Sequence, residues 1–443
     1  MYWKWWFAAA LAAAVVPAQA QDDELSKLRQ ALRQLQQQVQ ELEKRVQEAE
    51  AKSGKAEQAA APVPPPPAQP GRTGGSNAFN PDISLILQGT AARSSLDPNA
   101  YQITGFAPSG GEVQPAPRGF GLGESELFIT SNVDPYFRGQ LAAALTPDNE
   151  LEVEEAFFQT LALGGGFTLK GGRFLSGIGY QNEIHQHAWD FQDAPLAYKA
   201  FLGGRLNDDG VQVRWLAPTE LFVELGTELG RGRDFPATDN NKNGANAWSV
   251  FGHVGGDVGE SIAWRGGLSY LGASPQDRAF TDLNSTQSFT GDSSTWIADF
   301  VLKWAPNGNA SVTNLKLQGE YFRRKESGAL TFDTSTGDYS SQQSGWYAQA
   351  VYQFMPRWRV GYRYDRLDHG TVTNGLGLTA QDAPLLLTDY NPTRNTAMVD
   401  WSLTEFSRFR LQYAVDKSRV DLTDNQILLQ YILSLGAHGA HKF

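Results

Sequence analysis

Residues 295–304, TWIADFVLKW, carry the pattern that decides the fold. Every even-numbered position from Trp296 to Trp304 is apolar or aromatic, whereas Asp299 and Lys303 stand at odd-numbered positions between them. Successive side chains of a β-strand point to opposite faces of the sheet. The stretch therefore predicts a strand with one apolar face and one polar face.

The same alternation recurs from residue 79 onward, where we count sixteen candidate strands. In the last third of the chain, aromatic and aliphatic residues take one face of each strand. The opposite faces carry five basic residues: Arg357, Arg359, Arg363, Arg408 and Arg410. If the apolar faces meet lipid, these arginines line an interior.

The connections between the candidate strands alternate between tight turns and longer loops. The turns at 133–135, 164–166 and 217–219 are three residues long, whereas most connections between such turns are longer. Bacterial outer-membrane barrels have short turns at one end and long loops at the other, with an even number of strands. Residues 79–443 thus predict an all-β fold, a 16-stranded antiparallel transmembrane β-barrel. A soluble sandwich or propeller is the alternative, but neither requires this alternation.

The composition excludes several other classes of protein. The 443 residues contain no cysteine, which removes disulfides and thiolate chemistry. The net charge of −11 argues against nucleic acid as a partner. After the N-terminus the chain has no apolar run long enough for a transmembrane helix. Spacing alone assembles no Ser-His-Asp set and no phosphate-binding glycine loop, so we expect no enzymatic activity and no resident cofactor.

The first 78 residues predict three further parts. Residues 1–20 have a lysine, an apolar run and a small-x-small site, which is typical of a signal peptide rather than of an anchor. Residues 21–58 repeat apolar positions at alternating spacings of three and four, the heptad pattern of a self-associating coiled coil, here periplasmic. An amphipathic helix on the membrane is the less favoured alternative, because its flanks lack aromatic anchors. Residues 59–78 are a linker rich in Pro and Gly.

One long segment, 177–208, interrupts the series of strands and holds most of the candidate chemistry. In our strand count it is the third of the connections at the end of the barrel that has the longer loops. It contains three acids and two of the chain's six histidines: Glu183, His185, His187, Asp190 and Asp193. Two histidines separated by one residue point the same way in an extended chain, so with Glu183 or Asp190 they predict a zinc site as one alternative. Ordinary hydrogen bonding by both imidazoles is the other alternative.

The barrel pattern, the final apolar strand and the terminal Phe443 resemble bacterial outer-membrane porins. In the sixteen-stranded porins the third loop folds into the lumen and narrows it. By that resemblance, the acids of 177–208 would face the five arginines across a pore constriction. A coiled coil before a barrel is similar to the sucrose porin and to envelope-tethering porins, which are trimers.

A second resemblance rests on residues 172–196, GRFLSGIGYQNEIHQHAWDFQDAPL. This stretch looks like proteobacterial barrels labelled as zinc-regulated or TonB-dependent outer-membrane receptors. The TonB part of that label does not fit, because a 22-stranded transporter has a plug where this chain has a heptad helix and a linker.

These observations predict an outer-membrane porin, passive and trimeric, for small hydrophilic solutes. Its partners would be outer-membrane lipid and further copies of the chain. The first alternative is a zinc-linked uptake receptor, in which zinc binds His185 and His187. The second is an envelope tether that is anchored by the barrel and reaches peptidoglycan through its periplasmic extension.

Overall fold

The computed structural model describes residues 81–108, 113–146, 150–238, 243–282 and 285–436. The predicted signal peptide, coiled coil and linker lie outside these residues, as does Phe443.

The described residues form eighteen strands of one antiparallel sheet. The strands are β1 (Asp82–Ser94), β2 (Gly119–Leu122), β3 (Ser125–Asn132), β4 (Phe137–Leu145), β5 (Leu151–Thr160), β6 (Phe167–Leu175), β7 (Asn207–Leu216), β8 (Phe222–Gly230), β9 (Ala247–Val258), β10 (Ile262–Ala273), β11 (Arg278–Asp282), β12 (Ser285–Trp304), β13 (Asn314–Phe332), β14 (Ser335–Met355), β15 (Trp358–Asn374), β16 (Thr393–Thr404), β17 (Ser407–Lys417) and β18 (Asp424–Gly436).

The sheet closes into a barrel with sixteen positions, because two positions are each shared by two strands. One part of β1 pairs with β2 and the other part with β3, so β2 and β3 occupy one position. In the same way β10 and β11 both pair with β12 and share another position. Pairing of β1 with β18 closes the ring. The prediction of a 16-stranded antiparallel barrel is confirmed.

The two faces of the wall differ as the alternation predicts. On β12 the side chains of Trp296 and Phe300 are 50% and 48% exposed, whereas Ile297 and Asp299 between them are 0% and 6% exposed. The outer surface is thus an apolar belt, while charged groups turn inward. This arrangement is the one expected of a barrel whose outside meets lipid.

Strands β12 to β15 are longer than the alternation predicts, with 20, 19, 21 and 17 residues. The ladder of pairs between β12 and β13 continues without a shift from Trp304 opposite Leu315 to Gln287 opposite Phe332. The additional part of β12, residues 285–294, is mostly Ser, Thr, Gln, Gly and Asp, so it lacks the apolar face that marks a membrane strand. These strands therefore rise beyond the apolar belt at the end opposite the tight turns.

Helices are few and short in the described ranges. Two α-helices span Leu196–Leu202 and Pro384–Leu387, and single 3-10 turns span Pro98–Ala100, Gln181–Glu183, Gln186–Ala188 and Pro306–Gly308. Across the described ranges, no helix has the length and apolar character needed to span a membrane.

The main hydrophobic cluster lies inside the barrel, not between two layers. It joins the connection between β6 and β7 to the wall, with Tyr198 and Phe201 packed on Phe322 at ring-centroid distances of 5.0 and 6.0 Å. Ile103 and Phe106 of the connection between β1 and β2 join the same cluster. We call residues 176–206, the connection between β6 and β7, the inner segment, because its side chains contact the inward face of the barrel.

Candidate functional site

Glycines allow the inner segment to leave β6 and run close to the wall. A Cβ on Gly177 would lie 2.5 Å from the ring of Phe251, and one on Gly179 would lie 2.5 Å from Oε2 of Glu320. Gly179 also has a φ of +67°, in the left-handed region that glycine adopts most readily. The segment therefore turns inward at a point where larger residues would strike the barrel.

Glu320 on β13 holds the first turn of the segment. Its carboxylate accepts hydrogen bonds from the backbone N–H groups of Tyr180 and Gln181 at 3.1 and 3.0 Å. It also accepts hydrogen bonds from the hydroxyls of Tyr198 and Tyr347 at 2.8 and 2.5 Å. Four donors on one buried carboxylate fix the position of the segment against β13 and β14.

Asp190 binds the basic side of the wall. Its Oδ2 lies 2.9 Å from Nζ of Lys316, and its Oδ1 lies 3.1 Å from Nη1 of Arg359. Burial opposes ionisation of this carboxyl, but the charges of Lys316 and Arg359 outweigh it and hold the pKa of Asp190 well below its usual range. Arg359 is shared with Asp400 of β16, whose Oδ1 lies 2.9 Å from its Nε.

Asp193 makes the second ionic attachment. Its carboxylate lies 3.2 Å from Nη2 of Arg363, contacts Nη1 of Arg394 and lies 3.8 Å from Nζ of Lys199. Burial opposes ionisation here too, but Arg394 and Arg363 outweigh it and lower the pKa of Asp193. The pKa of Lys199 falls to about 8, because burial of its ammonium outweighs the attraction of Asp193.

Two further predicted arginines bind the backbone of the segment. Arg408 donates to the carbonyl of His187 at 2.6 Å, and Arg410 donates to the carbonyl of Trp189 at 2.6 Å. Arg359, Arg363, Arg408 and Arg410 thus all lie inside the barrel and all contact the inner segment. These arginines bind the inner segment, so they do not form a free row of charges opposite a row of acids.

Two predicted site residues lie elsewhere. Arg357 is in the tight turn between β14 and β15, with a φ of 68°, and its exposed guanidinium donates to the carbonyl of Leu403 at 2.7 Å. The prediction that Arg357 faces the lumen is wrong, because this residue belongs to the turn and not to β15. Glu183 is inside the barrel, but it contacts Arg214 of β7 and not an arginine of the late strands.

His185 and His187 face the acidic side of the wall. Nδ1 of His185 lies 3.2 Å from Oε2 of Glu154 and 3.3 Å from Oε2 of Glu126, and its Nε2 lies 3.0 Å from Oε2 of Glu155. Nδ1 of His187 lies 2.9 Å from Oε1 of Glu126. Burial would lower the pKa of His185, but hydrogen bonds to Glu126 and Glu155 outweigh it and raise that pKa to about 10.

The segment is therefore polarised to match the wall on both sides. The carboxylates of Asp190 and Asp193 face the basic strands β13 to β17, and its imidazoles face the acidic strands β3 and β5. The wall residues that complete these contacts were not predicted: Glu126, Glu154, Glu155, Arg214, Lys316, Glu320 and Arg394. Their inward position follows from strand alternation, but their partners depend on a register across up to 201 positions of sequence.

A cavity of about 740 Å³ lies beside the inner segment, on the side of the connection between β1 and β2. Its lining includes Gln186, Gln192 and Lys199 of the segment and Glu124 and Glu152 of the wall. Apolar residues such as Ile103, Phe106 and Phe280 line the rest, so the space next to the segment has a mixed lining and is large enough for a small solute.

No protein-family profile matches the chain. An uncharacterised protein of Aquifex aeolicus is 33% identical over 397 residues, which cover 83% of this chain and 80% of that protein. Two solved structures of OmpT, an outer membrane protein of Vibrio cholerae, are similar in fold. The loop L8 deletion mutant has a TM-score of 0.51 at 12% identity, covering 81% of this chain and 100% of that chain. OmpT folded in vitro has a TM-score of 0.50 at 11% identity, covering 82% and 100%. At these identities the similarity shows the fold alone.

Proposed function

We propose that this chain, which belongs to the same family as the Aquifex aeolicus protein, is a passive outer-membrane channel for small hydrophilic solutes. The inner segment would be its constriction, so that the residues of this segment select what passes. Loop 177–208 of the sequence prediction corresponds to this segment, except that β7 already begins at Asn207.

One observation carries the proposal: the inner segment lies in the lumen and is bound on opposite sides by ionic contacts, with a cavity that carries polar side chains beside it. Asp190 attaches it to Lys316 and Arg359, and His185 attaches it to Glu154. A rigid element that fills part of a barrel leaves a narrow path of fixed shape, which is how fixed charges and pore width act on a solute.

The lining of the cavity favours neutral polar and cationic solutes on its side of the constriction. Four glutamines offer amide donors and acceptors, and four carboxylates add negative charge: Gln102, Gln114, Gln186, Gln192, Glu124, Glu150, Glu152 and Asp193. Lys199 is the basic side chain of that lining, and it lies beside Asp193. A solute with hydroxyl or ammonium groups would find partners there without a charge penalty.

Planar-bilayer recording of the purified protein tests the proposal. We expect discrete conductance steps in the wild type, and larger steps when residues 181–202 are replaced by a short Gly-Ser linker, because the lumen then loses its filling. A folded barrel without discrete steps would overturn the channel. Equal steps in the two proteins would overturn the constriction and leave the channel intact.

We also propose that the chain is a trimer held by the heptad segment 21–58, which lies outside the described residues. Removal of residues 21–78 should reduce the molar mass measured by light scattering in detergent from three chains to one. An unchanged mass would place the contacts between copies in the barrel. Sedimentation with isolated peptidoglycan, before and after the same deletion, tests the tether alternative.

A zinc-linked uptake role is the second candidate, because His185 lies among carboxylates that zinc also binds. It requires that micromolar zinc change the flux through the pore. If zinc leaves the conductance of the wild type unchanged, this role is excluded and passive diffusion remains.

A further inference from the structure

We propose that Glu126, Glu154 and His185 bind one divalent metal ion of the zinc class, which ties the inner segment to the acidic wall. The three residues come from β3, β5 and the inner segment, so the ion would cross-link parts of the chain that are distant in sequence. This inference goes beyond the channel and does not depend on it, since a metal tie can hold the segment whether or not solutes pass.

The ligand atoms already stand at distances suited to a metal. One atom from each residue lies within 4.8 Å of the other two. Nδ1 of His185 is 3.2 Å from Oε2 of Glu154 and 3.3 Å from Oε2 of Glu126. In a tetrahedral zinc site with bonds of about 2.1 Å, neighbouring ligand atoms are about 3.4 Å apart. An ion could therefore enter with little movement of the side chains.

The atoms that would not touch the metal are held by other groups. Oε1 of Glu126 binds Nδ1 of His187 at 2.9 Å, and Oε1 of Glu154 binds Arg205. Nε2 of His185 lies 3.0 Å from Glu155. A carboxylate on the far nitrogen of a ligating histidine is the usual outer support of a zinc site, because it fixes the ring and its tautomer. Here each proposed ligand has such a support.

Glu126 supplies an independent sign of a missing partner. Its side chain is 0% exposed, and its Oε2 lies 3.3 Å from Nδ1 of His185, a nitrogen that bonds Glu154 at 3.2 Å. This oxygen therefore shares one N–H with a second carboxylate and has no hydrogen bond of its own from the described residues. A buried carboxylate oxygen without a hydrogen bond is costly, since burial removes its water. A cation at this point would supply what the oxygen lacks.

The charges nearby also favour a dication. Four carboxylates meet here, those of Glu124, Glu126, Glu154 and Glu155, and the basic residues that offset them are Arg205 of the inner segment and Lys170 of β6. The carboxylates exceed these two basic side chains by two negative charges. A divalent ion compensates that excess once it has displaced the proton that His185 carries in the metal-free protein. Buried charge requires such compensation.

The ligand types select the metal. One imidazole nitrogen with carboxylate oxygens suits zinc and its neighbours in the first transition row. Calcium and magnesium require about six or more oxygen ligands, which three side chains do not provide. Three protein ligands leave the fourth position of a tetrahedral ion to solvent.

Calorimetric titration of the chelator-treated protein with zinc chloride tests the site. The wild type should bind zinc, and either His185→Ala or Glu126→Gln should weaken one equivalent of binding by at least about 100-fold. Glu155→Gln removes only the outer support and should weaken that equivalent by about 10- to 100-fold. Magnesium chloride should give no heat of specific binding.

His253→Ala is the matched control. His253 is also buried in the lumen, and its Nδ1 lies 3.1 Å from Glu224, but no third ligand completes a set around it within the described ranges. This variant should bind zinc as the wild type does. Unchanged binding in His185→Ala, or no binding by the folded wild type, would overturn the site and leave the channel proposal standing.

A second measurement does not depend on the folding of variants. X-ray absorption of the zinc-loaded wild type should show one imidazole and the remainder oxygen in the first shell. Two or more imidazoles would place the bound zinc elsewhere and overturn the assignment.

Discussion

The carboxylate of Asp193 lies 3.2 Å from the guanidinium of Arg363, although 170 positions separate the two residues. Arg363 is 0% exposed and also binds Asp365 of its own strand at 3.0 Å. A charge of the inner segment is thus neutralised at the wall. The ion pairs of this barrel therefore fix the position of the segment, and the charges that remain unpaired determine the field that a solute meets.

The first prediction concerns Asp193→Asn. Removing one partner of a buried ion pair leaves the other charge uncompensated, which costs about 3 kcal/mol. We expect a loss of that order in the free energy of unfolding measured with denaturant. We also expect a shift of the reversal potential towards anions, because Arg363 and Arg394 lose a counter-charge. Glu220→Gln, in an exposed turn, is the control, and equal reversal potentials in the two variants would contradict the assignment.

The second prediction concerns Glu320→Gln. The carboxylate accepts four hydrogen bonds. A glutamine amide has only one acceptor oxygen, and its NH₂ group would face donors that need an acceptor. We expect a loss of about 2 kcal/mol or more in stability, since buried donors are left without acceptors. Single-channel records should also become noisier, because the first turn of the segment is no longer fixed. Glu405→Gln, in an exposed turn, should change neither quantity, and a quiet record from Glu320→Gln would show that other contacts suffice to hold the turn.

Strand alternation was sufficient to predict the barrel, since a side-chain period of two can be read from any nine or ten residues. It placed Arg359, Arg363, Arg408 and Arg410 on the inward face because each belongs to a strand and follows its alternation. It failed at Arg357, where a turn residue with positive φ follows no strand period. It also missed the parts of β12 to β15 that extend beyond the apolar belt, because their outward face is polar and lacks the apolar residues that mark a membrane strand.

The sequence could not predict the partners of the inner segment, for a different reason. Glu126 and Glu154 read as ordinary inward acids, and nothing local indicates that His185 would lie between them. That contact depends on the closure of the ring and on the path of the segment, which long-range register sets. Glu183 and Asp190, the near neighbours of the histidines in sequence, turn instead to Arg214 and to Lys316.

The third prediction concerns the pH dependence set by Lys199. Its pKa in the folded protein is about 8, below that of an unfolded lysine, because its ammonium is buried. The unfolded chain therefore holds more protons between about pH 8 and about pH 10.4, so the free energy of unfolding should rise with pH through this window. Over the same step the cavity loses a positive charge, and the reversal potential should shift towards cations. Lys199→Met should abolish both changes, whereas a wild-type pH profile in that variant would assign them to another group.

The fourth prediction concerns acidification. The pKa values of Asp190 and Asp193 are lowered in the folded protein, because the charges of their basic partners outweigh burial. A depressed carboxyl contributes stability above its unfolded pKa of about 3.9, and that contribution is lost only as pH falls through the lower folded value. Both attachments should therefore persist from about pH 7 to about pH 4. Single-channel conductance of the wild type should stay constant over this range, measured at high salt to screen exposed groups.

Asp190→Asn should differ from the wild type at every pH tested, because it removes the attachment to Lys316 and Arg359. A wild-type conductance that approaches that of Asp190→Asn near pH 5 would show that the attachment titrates in the ordinary range of a carboxyl, and that the ion pairs do not hold the segment as described.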